Sequence, residues 1–321
     1  QAAAPESIEG TATFSQAAPE QLTYAVELET LADSAKAEDG TELAVRTYVL
    51  PRMSVEREDG TAVTEAATPE EETALAAAGT FNSQFESWAA SDNFDEITSW
   101  AEEERVFRVE SGLAWHPYSL ELTCEVYQTD RLVSVRAEYY SNTGGAHPNT
   151  VLLAWNFDLT TGQFFAPELL ASDGQAFSQA VLDVLLEQSR ETAASYDLAP
   201  EEFFWANYAE ILSGWSSYAV SFDETGMTVG FSPYELASYA AGAQVYHLDY
   251  DQIAGYLSGH GDAMYTRSIA TLGIFAFQEV PYGKEADHGP RPAAGAVPAG
   301  GGGYVRLPDD RGALPPVRPY L

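Results

Sequence analysis

Cysteine is nearly missing from these 321 residues: Cys124 stands alone, so no intrachain disulfide and no thiolate metal cluster can form. Lysine is almost as scarce, with Lys36 and Lys284 the only two. Fifteen basic residues face 49 acidic ones, for a net charge of −34. Such a surface excludes nucleic acid, whose binding needs clustered Lys and Arg to displace counterions. It repels anionic lipid headgroups and attracts a basic protein or a cation; on charge alone, solubility or salt adaptation is the favoured reading. Long apolar runs are missing too. The best candidate, "IATLGIFAF", is about half of the roughly 18–20 residues a spanning helix needs, so no membrane-spanning segment is expected. The opening "QAAAPES" has neither a basic n-region nor an apolar h-region, and reads as a leader left by a removed signal, lipid anchor or membrane segment.

The motifs of catalysis and metal binding are equally sparse. His116, His147, His247, His260 and His288 are scattered singly, with no HExxH and no i, i+4 pair, so neither a metal site nor a cofactor is expected. "DNFDE" at 92–96 lacks the Gly and the terminal Glu of a calcium loop. No GxSxG or GxxxxGK occurs. Ser258 and His260 are close in sequence, but a triad is a spatial arrangement that proximity along the chain does not establish. No residue is singled out as catalytic.

What is present suits a folded globule: 45% hydrophobic and 12% aromatic residues. After a flexible lead over residues 1–20, "LTYAVELETL" and "TELAVRTYVLPRMSV" flank Asp39-Gly40 as a hairpin, and Asp59-Gly60 marks another turn. Thr68, Pro69 and Glu70–Glu72 start a helix, and the pattern stays helical through "SDNFDEITSWAEEERVFRVE". From residue 117, "YSLELTCEVYQTD" and "RLVSVRAEYY" alternate apolar and polar residues as strands, with Cys124 facing inward. Residues 175–194 place Phe177, Val181, Val184, Leu185 and Gln188 on one helical face. "EEFFWANYAEIL" reads as a further short helix, residues around Glu224-Thr225-Gly226 as a hairpin, and "YHLDYDQIAGYL" as a strand entering a helix. Trp100, Trp155, Phe157, Tyr234 and Tyr239 are expected in the core. Residues 284–321 carry seven Pro and seven Gly and are expected to be disordered. The expected fold is α+β, antiparallel hairpins packed against two or three helices.

Between two well-patterned arms lies "SNTGGAHPN". Gly144 and Gly145 allow positive φ there, and Pro148 holds His147 extended. The tip is either a sharp turn or a presented loop, and its candidate binding residues are Asn142, Gly144, Gly145, His147 and Asn149. "FSPYELASYAAG" reads as a Pro-started helix stopped by Gly242.

Two stretches carry a family resemblance. One is the GGAH tip with the N-x-D-x-x-T-G turn (Asn156, Asp158, Thr161, Gly162). The other is F-x-P-Y-E-x-x-x-Y-A-x-G (Phe231, Pro233, Tyr234, Glu235, Tyr239, Ala240, Gly242). Together they resemble the RsiV-like domain, domain-of-unknown-function family 3298, over roughly residues 20–260. On that resemblance residues 21–115 look like its N-terminal companion region and 116–283 like the domain itself. The family implies an extracytoplasmic α/β module of Gram-positive bacteria. One branch forms the outer part of anti-sigma factors that bind lysozyme, and another accompanies peptidoglycan deacetylases. A non-enzymatic binding or sensing domain, secreted or membrane-anchored, is therefore expected, with a basic protein such as lysozyme as partner. The alternative is an accessory module or enzyme acting on peptidoglycan.

Overall fold

The computed structural model describes residues 22–265. Both Asp-Gly signals turn the chain: the Asp39 and Asp59 carboxylates accept the amide N–H of Thr41 and Thr61, each at 2.9 Å. The first turn joins β1 (Thr23–Lys36) to β2 (Glu42–Glu56) as a long antiparallel pair. The Thr68 hydroxyl then accepts the Glu71 N–H at 3.2 Å and starts α1 (Pro69–Ala90). The expected helical run is two helices, because Asn93 adopts φ +48 ahead of α2 (Phe94–Glu110). Four strands follow: β3 (Tyr118–Gln128), β4 (Leu132–Asn142), β5 (Asn149–Asp158) and the two-residue β6 (Gln163–Phe164).

These strands form one six-stranded sheet in the order β1-β2-β3-β4-β5-β6. Every pairing is antiparallel except β2–β3, where α1 and α2 supply the crossover that a parallel pair requires. The β2–β3 register, Ala44↔Tyr118 to Tyr48↔Leu122, carries the sheet across residues 115 and 116. Helix α1 buries Ala74, Ala78, Phe81, Phe85 and Ala89 at helical spacing. They pack with Tyr48, Leu120, Leu122, Val133, Val135 and Phe157 as a first core. Cys124 is buried among them, and loss of hydration pushes its thiol up to about 12.

The second core lies under α3 (Gly174–Ser195), which Asp173 caps by accepting the N–H groups of Gln175 and Ala176. Phe177, Val181, Leu185 and Ala193 face a three-stranded antiparallel sheet, β7 (Ala219–Phe222), β8 (Gly226–Phe231) and β9 (Gln244–Asp249). The short helices α4 (Pro200–Phe203), α5 (Tyr208–Ser213), α6 (Tyr250–Ile253) and α7 (Gly259–Tyr265) complete the described chain. A buried network ties the two sheets. The Ser134 hydroxyl donates to Asn156 Oδ1 and accepts the Phe222 N–H, both at 2.8 Å, while Asn156 Nδ2 donates to the Val220 carbonyl at 2.8 Å.

The α+β fold is as expected: an antiparallel-rich sheet with several helices. Besides the break between α1 and α2, three details differ. "EEFFWANYAEIL" is broken into α4 and α5. "FSPYELASYAAG" is an irregular loop with a single 3-10 turn at Tyr239–Ala241. Its own backbone closes short three-residue turns, Glu235 N–H to the Ser232 carbonyl at 3.0 Å and Ala241 N–H to the Ser238 carbonyl at 2.9 Å, and neighbours take other groups: Phe204 bridges Ala237, and the Trp205 N–H reaches the Leu236 carbonyl at 3.1 Å. Trp100 and Tyr234, expected in the core, are exposed. The lead over 1–20, residues 266–283 and the Pro/Gly-rich 284–321 lie outside the described residues. Among the described residues, no helix is long and apolar enough to cross a membrane.

Candidate functional site

The tip over residues 143–148 joins β4 to β5. Asn142 ends β4 opposite Ser119, and Asn149 opens β5 opposite Ser141. Gly144 sits at φ +83, where an L side chain is strained. Gly145 is not in the left-handed region, so of the two glycines that allow positive φ, Gly144 is the one that adopts it. A Cβ built on Gly144 would fall inside the Glu104 carboxylate of α2. That carboxylate is held by Arg108 Nε at 2.6 Å and by the Tyr118 hydroxyl. The tip is seated against α2.

Its other flank meets the second resemblance motif. The His147 and Tyr239 rings stack with centroids 3.8 Å apart and planes 19° off parallel. His147 Nε2 lies 3.0 Å from the Tyr234 hydroxyl, and the Tyr239 hydroxyl donates to the Pro148 carbonyl at 3.1 Å. The two motifs lie 91 residues apart along the chain at that last bond, yet form one edge.

Tyr234 is the unusual member. It is 52% exposed and adopts φ +74, a conformation that costs a bulky L residue free energy. Its carbonyl accepts the Trp205 indole N–H at 3.0 Å, while its hydroxyl engages His147. Beneath it, Glu235 accepts the Ser232 N–H, and Ser232 Oγ accepts the Leu152 N–H at 3.1 Å. Burial raises the Glu235 carboxyl above its ordinary value, against the lowering pull of the Ser232 bonds. Loss of hydration, and then the nearby Glu235, raise the Tyr218 hydroxyl. The arrangement is an aromatic surface with a rigid base: His147, Tyr234, Tyr239 and Trp205 present rings that hydrogen bonds hold in place.

Of the candidate residues, Gly144 and His147 are drawn into this edge. Gly145 makes no tight approach, its nearest neighbour being the His147 carbonyl oxygen at 3.7 Å, and Asn149 is exposed at the start of β5. Tyr234 and Trp205 were not singled out as site residues. A Tyr in a Pro-Tyr-Glu string reads as a helix residue, and only its φ marks it otherwise.

Ser258 and His260 do not assemble as a catalytic pair. Ser258 Oγ accepts the Gly261 N–H at 3.0 Å, and His260 Nε2 lies 2.9 Å from Asp158. Burial pushes the Asp158 carboxyl up, but the Thr160 hydroxyl and amide, His260 and Thr161 outweigh it and hold it below the usual carboxylate range. Asp158 thereby fastens α7 to the turn after β5. Among the described residues, no three His, Cys, Asp or Glu side chains gather to hold a metal ion.

A family model described as "Deacetylase PdaC" matches residues 69–150, from the start of α1 through the tip. No curated protein matches the chain. Two solved structures are similar in part. One is a DUF3298 family member from Bacteroides fragilis, with a TM-score of 0.49 and 14% identity, covering 74% of this chain and 94% of that one. The other is a DUF3298 family protein from Pseudomonas aeruginosa, with a TM-score of 0.42 and 16% identity, covering 74% of this chain and 96% of that one.

Proposed function

We propose that this chain is a non-enzymatic binding module of the RsiV-like kind, acting outside the cytoplasm. Its recognition edge is built from the 143–149 tip and the 232–242 loop. The observation that carries this reading is Tyr234. A solvent-exposed tyrosine at φ +74, held at both its carbonyl and its hydroxyl, is costly to the fold and gives the protein interior little in return. Rigid exposed aromatics offer contact area at small entropic cost, as binding hot spots do. The net charge of −34 favours a basic protein as partner, and lysozyme is the first to try.

Surface binding kinetics against lysozyme test the reading. Wild-type protein is expected to bind at 50 mM salt, and His147→Ala or Tyr234→Asn to speed dissociation at least tenfold. Wild-type dissociation from both variants would leave the edge a mere turn, and no binding at low salt would remove lysozyme as partner.

A second reading has support of its own. Exposed tyrosine and tryptophan rings also suit the apolar faces of sugars, and the family matched over residues 69–150 is named for a deacetylase. On this reading the module holds peptidoglycan for an enzyme acting on it. Sedimentation with purified peptidoglycan separates the two, because glycan binding should survive 500 mM salt whereas charge-steered protein binding should weaken.

A further inference from the structure

Helix α2 keeps one face for the core and turns an unusual one outward. Ile97 and Ala101 are its buried residues. On the outward side Trp100 is 44% exposed and Phe107 64%, two turns apart and therefore neighbours on one face. Glu96, Glu103 and Glu110, spaced by seven and all exposed, run beside them as a column. Large apolar groups exposed together on one face and rimmed by charge mark interaction sites.

The charge of this face is not cancelled from within the helix. Arg105 is spent on Glu102 and Asp39, at 3.0 and 3.1 Å, and Arg108 on Glu104 at 2.6 Å. Glu104, which the Gly144 tip covers, lies between Trp100 and Phe107 in sequence at i+4 and i−3. The face is thus continuous with the tip.

We propose that this outward face of α2 is a docking surface for a basic, amphipathic polypeptide. The aromatic pair takes an apolar centre, and the glutamate column takes Lys or Arg on the flank. Charge complementarity decides the occupant. A second copy would bring an equally acidic face against this one, and like charges brought together on desolvation repel. The proposal rests on the binding-module reading for its direction but not for its partner, since it names a surface that reading does not use.

The test uses the full chain at 50 mM salt with three probes: an amphipathic Lys/Leu helical peptide, polylysine of equal charge, and lysozyme. Trp100→Ser/Phe107→Ser is expected to weaken the amphipathic peptide at least tenfold, mainly through faster dissociation, and to leave polylysine unmoved. Glu96→Gln/Glu103→Gln/Glu110→Gln is expected to slow association of both peptides severalfold, and it keeps the test alive if the serine variant folds poorly. Peptide affinity unchanged in both variants overturns the proposal even if lysozyme binds through Tyr234. Peptide binding at this face without any lysozyme binding supports the surface and removes lysozyme as partner of the edge. Self-association of the wild type that Trp100→Ser/Phe107→Ser abolishes would give the face to a second copy and overturn the proposal. So would a photo-crosslinker in place of Glu103 that captures residues 266–321 within the free chain.

Discussion

The carboxylate of Glu104 occupies the space that a side chain at Gly144 would need. The two neighbouring glycines therefore differ in what they tolerate. Gly144→Ala meets both a left-handed backbone and a carboxylate fixed by Arg108 and Tyr118, and should destabilise by about 1–2 kcal/mol. Gly145→Ala meets only ordinary contact and should stay within about 0.5 kcal/mol of wild type. Urea melts of the two variants check this, and equal losses would refute it.

Tyr234 predicts a trade between stability and binding. Asparagine tolerates positive φ better than tyrosine, so Tyr234→Asn should raise stability by roughly 0.5 kcal/mol while binding weakens. A marked fall in melting temperature would show that the ring supports the fold.

Ser134 and Asn156 form a single unit. Removing the Ser134 hydroxyl leaves Asn156 Oδ1 and the buried Phe222 N–H without their partner, a loss of about 2–3 kcal/mol. Asn156→Ala should cost a similar amount, and the double variant much less than the sum. Additive losses in a denaturation cycle would show that the network does not act as one.

Two carboxylates should move stability in opposite senses with pH. The Glu235 carboxyl is raised above its ordinary value of 4.5, so the native state favours its neutral form. That contribution is present below 4.5 and is lost as pH rises through the raised native value. Glu235→Gln should therefore gain on wild type above that window. The Asp158 carboxyl is lowered from 3.8, so its contribution is present above 3.8 and is lost as pH falls through the lower native value. Asp158→Asn should flatten the acid limb of a stability–pH curve, and an unchanged limb would remove Asp158 as its source.

Charge and shape should separate in the kinetics of binding. Raising salt from 50 to 500 mM shrinks the Debye length from about 14 Å to about 4 Å, so association with a basic partner should slow severalfold. Dissociation should instead follow the residues of the edge. A salt effect confined to dissociation would contradict steering by the net −34 charge.

Much of the fold was legible along the chain because its cause is local. The Asp-Gly turns, the Thr68-Pro69 start of α1, the alternation in β3 and the spacing of Phe177, Val181 and Leu185 each depend on residues a few positions apart. The inward place of Cys124 followed from the same alternation. The 232–242 loop was misread because Pro-Tyr-Glu-Leu has helical character by itself. Tertiary partners override it: Ala237 bridges Phe204, and the Leu236 and Tyr234 carbonyls accept from Trp205. The break between α1 and α2 was likewise hidden: Asn93 tolerates a positive φ, but a lone Asn within a helical pattern does not require one.

The sequence by itself determined the acidity, the α+β class and the two motifs, through composition and short-range periodicity. Only the tertiary structure decided that the motifs share an edge. His147 and Tyr239 are 92 positions apart, and the stacking of their rings depends on how β5 and the 232–242 loop are brought together by the Asn156 network between the sheets. It also decided which helix face reached water. The exposed side of α2 bears Trp100 and Phe107, large apolar residues that hydropathy alone assigns to a core, because Ile97 and Ala101 already fill the place where the helix meets the sheet.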